Sequence, residues 1–252
     1  MLRKPPAIPL DAGRLAPFAD ECSHRSPDAP RLPGKGSLYG PRTGAARQPV
    51  PGPSSWHSVV RCPVRKDDRM PLDNLLTSLR ALPGSGPRDA YLRFLNSAGD
   101  AALRRNGGPE HVTGSCFVFS PEFDHVLLCF HRKGQFWVQF GGHIESKDAS
   151  VAEAAQRETR EESGVSDLVL LSPAIMDLDR HDLHSGFLCT AHWDVGFAAA
   201  ITPDVEISVS DESEDVRWFP INELPAQVPA GFGARLERVR RTAMSLLGTP
   251  TG

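Results

Sequence analysis

The sequence predicts an α/β protein, an α/β/α sandwich around a mixed sheet, with N-terminal helices and a disordered N-terminal tail. Three observations predict it. Apolar runs at 111–119, 125–132 and 136–140 have the length and β-branched or aromatic content of strands. A segment from about Ser150 to Gly164 has helical period and a glycine stop. Composition changes near residue 70. Strands and helices in this mixed order bury a sheet between helical layers.

Residues 1–69 hold 12 of the 23 prolines and carry 12 Lys and Arg against 6 Asp and Glu. Stretches such as 34–49 and 49–55 lack the apolar surface to offset the entropy of ordering them. The tail reads as disordered. The remainder keeps 16 of 28 basic and 25 of 31 acidic residues. So acidic a folded part is a poor nucleic-acid binder, and no DNA-reading element is evident. Met70 opens a helix-like apolar pattern, so the native start is expected there, with 1–69 an over-extended reading of the gene; the mass of the native N-terminus decides this. The expected organisation is a tail at 1–69, a helical extension at 70–108 and the main domain at 109–248.

Leu72, Leu75, Leu76, Leu79 and Leu82 recur at helical spacing until Pro83-Gly84. A second helix is expected from Pro87 to Arg104, with Tyr91, Leu92, Leu95 and Leu103 inward. This pair could cap the domain or join two chains as a homodimer. The strand at 111–119 turns through 121–124 into 125–132, and 136–140 leads to Gly141-Gly142. After the 150–164 helix, strands are expected at about 168–176, 187–199 and 216–219, then a helical turn at 220–224 and a last helix over 232–247.

Cys22, Cys62, Cys116, Cys129 and Cys189 show no CxxC spacing, and the last three fall in apolar strand stretches. They read as reduced, buried thiols rather than a disulfide framework or zinc site. No apolar run approaches membrane-spanning length and no signal segment follows the N-terminus. A soluble, cytoplasmic protein without membrane partners is expected.

Residues 141–165, GGHIESKDASVAEAAQRETREESGV, carry the chemistry. On a helix, Glu158, Glu161 and Glu162 stand at i, i+3 and i+4 and share a face. Like charges there disfavour the helix by roughly 0.2–0.5 kcal/mol per pair, which points to a cation. Clustered carboxylates that leave room for substrate phosphates suit Mg²⁺. A helix rich in Glu and Arg is ordinarily a solvated face with local ion pairs. The Gly-Gly entry and the Glu-Glu-x-Gly ending set this one apart.

The stretch resembles the Nudix box: Gly, five residues, Glu, seven residues, Arg-Glu, an aliphatic, any residue, Glu-Glu, any residue, Gly, an aliphatic. Arg157-Glu158-x-x-Glu161-Glu162-x-Gly164 is intact, and Val165 fits. Asp148 stands where the box has Glu, eight residues rather than seven precede Arg157, and Thr159 replaces the aliphatic. The resemblance implies a Nudix-like fold over about 110–247. It also implies a hydrolase that uses Mg²⁺ or Mn²⁺ to cleave a diphosphate bond in a nucleotide derivative. It assigns Glu158, Arg157, Glu161 and Glu162 to catalysis, and Glu158, Glu161, Glu162 and the Gly142 carbonyl to the metal. Glu158 is a third ligand or the general base, and Arg157 orients Glu161. Glu212 is the favoured extra acid from a later loop, with Glu214 second; a solvated loop is the plain alternative.

Arg132 and Lys133 are expected near distal phosphates, and His143 and His192 at the substrate. Trp137 and Phe140 could stack on a base or pack in the core. His181, His184 and His192 match no HExxH or closed zinc spacing, so they read as substrate contacts or surface residues. The competing function is a nucleotide-sensing domain that does not hydrolyse. A purely structural role has only the N-terminal helices in its favour.

A protein beginning at Met70 is expected to keep its melting temperature and activity, because 1–69 has too little apolar content to join a core. Calorimetry checks this; a large drop in melting temperature would show that the arm packs.

Overall fold

Strand β1 (Glu110–Phe119) is the axis of the computed structural model, which describes residues 71–183, 189–211 and 213–248. β1 is buried at every position after Glu110, because both faces of the sheet are covered. One edge pairs in parallel with β6 (Ala191–Ala200), from Glu110↔Ala191 to Phe119↔Ala200. The other edge is shared. β2 (His125–His131) pairs antiparallel only at Val118↔Leu127 and Phe119↔Val126. Beyond that point β1 and β2 part. β4 (Phe140–His143) takes the free edge of β1, and β3 (Phe136–Val138) takes that of β2. β7 (Ser213–Pro220) lines the far side of β2, and β5 (Asp177–Asp182) runs antiparallel to β6.

The expected 136–140 strand is therefore two strands broken at Gln139, because the run crosses from one partner to the other. The strand expected at 168–176 is absent apart from a single bridge, Leu170↔Ala199. Its place falls to the polar segment DLDRHD at 177–182, of which Asp177 is buried against Arg235 while Asp179 and His181 on the same face stay partly exposed. The expected 187–199 strand is β6, at Ala191–Ala200. Residues 220–224 form a turn, with the Glu223 amide donating to the Pro220 carbonyl at 3.0 Å, and β7 is longer than its apolar residues suggest.

Residues opposite one another across a ladder share a face. Val112, Cys116, Trp193, Val195 and Phe197 look toward α1 (Pro71–Ala81), α2 (Gly86–Ala98) and α3 (Val151–Ser163). Phe117, Phe119 and Ala198 look toward α4 (Phe232–Leu246), where they meet Phe232, Leu236 and Val239. Helices on both faces of a mixed sheet make the expected α/β/α sandwich.

Ser85 caps α2 by accepting from the Arg88 amide, and Gly99, at φ 58°, ends it. The helix expected through Arg104 therefore changes to a 3₁₀ turn over Gly99–Leu103. α1 and α2 cap the sheet. Phe94 stacks on Trp193 with ring centres 4.5 Å apart, and the Tyr91 hydroxyl donates to the Asp194 carbonyl at 2.6 Å.

On the α4 face the polar row is anchored by Arg235. Its buried guanidinium bonds the carboxylates of Asp177 and Asp194. Thr113 and Ser115 donate to the remaining positions on Asp194, at 2.9 and 2.6 Å. Burial opposes the charge on Arg235, but Asp194 and Asp177 outweigh it and raise its pKa. Removing one partner from such a set strands the others. Arg235→Met is expected to lower unfolding free energy by roughly 3–5 kcal/mol in urea melts. Arg238→Met, which removes a half-exposed partner of Asp177, is expected to cost under about 1 kcal/mol. Equal losses would mean that burial of the charge does not set the energy.

Candidate active site

The helix α3 starts where its sequence says. Ser150 accepts from the Glu153 amide at 3.1 Å, while the Glu153 carboxylate reaches back to the Ala149 amide at 2.9 Å. The pair satisfies one first-turn amide of the helix and the amide just ahead of its cap. The helix stops at Gly164, whose φ is 74°. Its inner face is small, with Ala154 and Ala155 fully buried, so it lies close to the strands. A Cβ on Gly114 of β1 would come within 2.8 Å of the Val151 carbonyl. A Cβ on Gly142 of β4 would stand 2.6 Å from the Glu158 carboxyl carbon. Glycine at both positions lets the carboxylate-bearing face meet the sheet backbone.

Thr159, where the box pattern has an aliphatic, is fully buried and gives its hydroxyl to the Ala155 carbonyl at 2.6 Å. With its polar atom satisfied, it packs as a β-branched apolar residue would. Arg160 does not join the glutamates; it donates to the Leu168 carbonyl at 2.7 Å.

Arg157 is the hub. Its Nε and Nη2 form a two-pronged bond to Asp148, at 3.0 and 2.9 Å. Nη1 donates to Glu158 and to Glu161, both at 3.0 Å, and Nη2 also donates to the His143 carbonyl at 3.0 Å. The bond to Asp148 raises the Arg157 pKa further, with Glu158 adding to it. One guanidinium therefore offsets the repulsion between Glu158 and Glu161 and ties helix, loop and β4 together. Asp148 is buried and also accepts from the Glu145 amide at 2.8 Å. The shorter acid still reaches Arg157, despite the extra residue between them. Sequence reasoning recorded Asp148 as a departure and missed this role; the signal available was an acid one turn ahead of a helix that carries an arginine.

Glu162 is buried and accepts from the Gly141 amide at 3.0 Å, whereas the side chain of Glu161 is 53% exposed. Glu162 lies near Cys129, whose thiol pKa is raised by burial and by that charge. The structure thus brings Glu158, Glu161, Glu162, Arg157 and Gly142 together on the α3 side of the sheet. Arg132 is exposed and donates to the Ser213 carbonyl at 3.3 Å; Lys133 is exposed in the same turn. Glu212 and His184 lie outside the described residues. Glu214 is exposed and accepts from Gln135 at 3.0 Å. Phe140 is core, and Trp137 is buried beside a shallow cleft of about 260 Å³ that it lines with Phe130, Glu214 and Asp215.

His143 and His192 are not beside the glutamates. Gly142 faces α3, so the next residue, His143, turns its ring to the opposite side with its partner Thr113. There it meets His111 and His192, with ring centres 4.9 and 5.3 Å away. Burial and the neighbouring imidazoles push His143 down to about 4 and His192 to about 3. Cys189, expected inside a strand, lies just before β6 and is partly exposed, with Sγ 3.2 Å from His192 Nε2.

The carboxylates of one helix thus meet the backbone of a Gly-Gly strand on one side of a mixed sheet. The NUDIX domain matches residues 109–239, just over half of the 252-residue chain, and the chain belongs to that family. No curated protein matches it in sequence. Among solved structures it is similar to a NUDIX-family hydrolase from Clostridium perfringens, at 23% identity over 52% of this chain and 97% of that one, with TM-score 0.45. It is also similar to the E. coli dihydroneopterin triphosphate pyrophosphohydrolase, at 17% identity over 55% and 97%, with TM-score 0.43. A C. elegans Ap4A hydrolase matches at 14% identity over 53% and 98%, with TM-score 0.44. Among the described residues, no helix is long and apolar enough to cross a membrane.

Gly142→Ala is expected to displace the Glu158 carboxylate, the mobile end of its side chain. Turnover should fall about 10²-fold, as for a misplacement of about 1 Å. Unfolding free energy should change by less than about 1 kcal/mol. Steady-state kinetics beside a thermal melt checks this; a large stability loss with intact turnover would assign Gly142 to packing instead.

Proposed function

We propose that this chain is a divalent-cation-dependent Nudix hydrolase that cleaves a pyrophosphate bond in a nucleoside diphosphate linked to another moiety. The observation that carries the reading is the Arg157 network. A single guanidinium, fixed by Asp148, holds Glu158 and Glu161 side by side while Glu162 is held on the Gly141 amide. A solvated helix face has no need of such an arrangement, and a module that only binds nucleotide has less need of it.

The donors fit Mg²⁺ or Mn²⁺. They are hard carboxylate oxygens clustered beside the strand backbone at Gly142, where a side chain would intrude on Glu158. Glu161 and Glu162 are the favoured ligands, with Glu158 and the Gly142 carbonyl beside them. Bound there, the cation would neutralise the diphosphate and lower the pKa of a coordinated water. Glu158, as third ligand or general base, would take the proton as water adds to phosphorus and the bridging P–O bond breaks. Arg157 acts as a positioning residue, keeping two carboxylates aligned against their mutual repulsion. Arg132 and Lys133, exposed after β2, are proposed to meet distal phosphates.

Glu161→Gln and Glu162→Gln, each made separately, should lower kcat by about 10²–10³-fold, the scale of a lost charge-stabilising group. Both proteins should stay folded, because volume is kept and repulsion relieved. Turnover of a panel of nucleotide diphosphate derivatives should vanish in EDTA and return with Mg²⁺ or Mn²⁺. In ¹⁸O-water the label should appear in a phosphate product. Parental rates in both variants, full activity in EDTA, or no label in any phosphate product would overturn the reading.

A further inference from the structure

On the face of the sheet away from the box glutamates, four side chains converge from separate stretches. His111 comes from the start of β1, His143 from the end of β4, Cys189 from just before β6, and His192 from β6 itself. Strand register makes the cluster: His111 lies opposite His192, and His143 lies opposite Thr113, two residues along β1 on the same face. One ligand atom from each of the four falls within 4.8 Å of every other. His111 is fully buried, yet neither of its ring nitrogens has a hydrogen-bond partner, and Nε2 of His143 has none either. The Gly108 backbone approaches the His111 ring without reaching hydrogen-bonding geometry. A buried polar group left unsatisfied costs roughly 1–3 kcal/mol. As a plain packing cluster, the histidines would carry that cost at several atoms in one place.

We propose that His111, His143, Cys189 and His192 form a closed four-ligand Zn²⁺ site. Three imidazoles and a thiolate are the borderline-soft donors that suit zinc and not Mg²⁺. Zn–N lengths of about 2.0–2.1 Å and Zn–S of about 2.3 Å put tetrahedral ligand atoms roughly 3.3–3.6 Å apart, so no pair closes by more than about 1.5 Å. Burial favours the neutral, metal-binding form of all three imidazoles, and a cysteine that ligates zinc does so as thiolate, with any thiol proton passing to water. The site has no free position, so its role is structural. It cross-links β1, β4 and the entry to β6. His143 is the link between the two faces of the sheet: its ring would hold zinc while its carbonyl accepts from Arg157. Zinc on one side would thereby fix the strand on which the box helix is seated.

The test uses the full chain, stripped with chelator and reloaded with Zn²⁺ or Co²⁺. Elemental analysis after gel filtration is expected to give close to one zinc per chain. The cobalt form is expected to show tetrahedral visible bands and a thiolate-to-cobalt charge-transfer band in the near ultraviolet. Cys189→Ser should abolish that band and weaken zinc by more than about 100-fold, beyond the roughly 10–100-fold that a lost outer-shell partner costs. His192→Asn should also weaken zinc, with folding confirmed by circular dichroism. Zinc well below stoichiometry, a cobalt spectrum without the thiolate band, or parental zinc affinity in Cys189→Ser would overturn the proposal. The readout is metal content, so its failure leaves the box assignment, tested by turnover, unaffected.

Discussion

The close seating of α3 on β1 and β4 is the constraint from which the active-site geometry follows. It exists because Gly114 and Gly142 present no side chain where the helix passes and because the helix offers alanines in return. Contact at this range lets Glu162 reach a strand amide and brings Glu158 against β4. It also lets Arg157 reach the His143 carbonyl. A bulkier strand would hold the same glutamates away from the backbone, as an ordinary charged helix surface.

Charge is managed differently on the two faces. Near α3 Glu162 and Asp148 are buried while Glu161 is half-exposed, and Arg157 offsets the repulsion between Glu158 and Glu161. Near α4 the carboxylates of Asp177 and Asp194 are buried and closed off by Arg235, with hydroxyls filling the remaining positions. That second network is a finished ion-pair set that ties α4 to β5 and β6. The histidine cluster lies beside it along the same row of the sheet, where both ring nitrogens of His111 and Nε2 of His143 have no such partner.

The helical pattern of 71–81, the β1 and β2 strands and both ends of α3 were legible in the sequence because local rules decide them. Apolar period, a serine cap and a glycine stop act within a few residues. The glutamate face was legible for the same reason, since a helix fixes which side chains align. β5 was misread because most of its residues are polar and only Asp177 is buried, in the ion network of Arg235, so no apolar period marks it as a strand. The single strand expected at 136–140 was two, because the parting of β1 and β2 is a property of the whole sheet.

By itself, then, the sequence determined the box helix, its carboxylates and the family they indicate, all consequences of short-range spacing. Only the tertiary structure decided what Asp148 does, since its bond to Arg157 depends on how the residues before α3 fold back on the helix. Only the structure decided, too, that His143 turns away from Gly142, the result of strand alternation and of pairing with Thr113. His111, His143, Cys189 and His192 are up to 81 residues apart and follow no spacing rule. Parallel pairing of β1 with β6 and antiparallel pairing of β1 with β4 bring them together, and register between distant strands is set by the packing of both sheet faces at once.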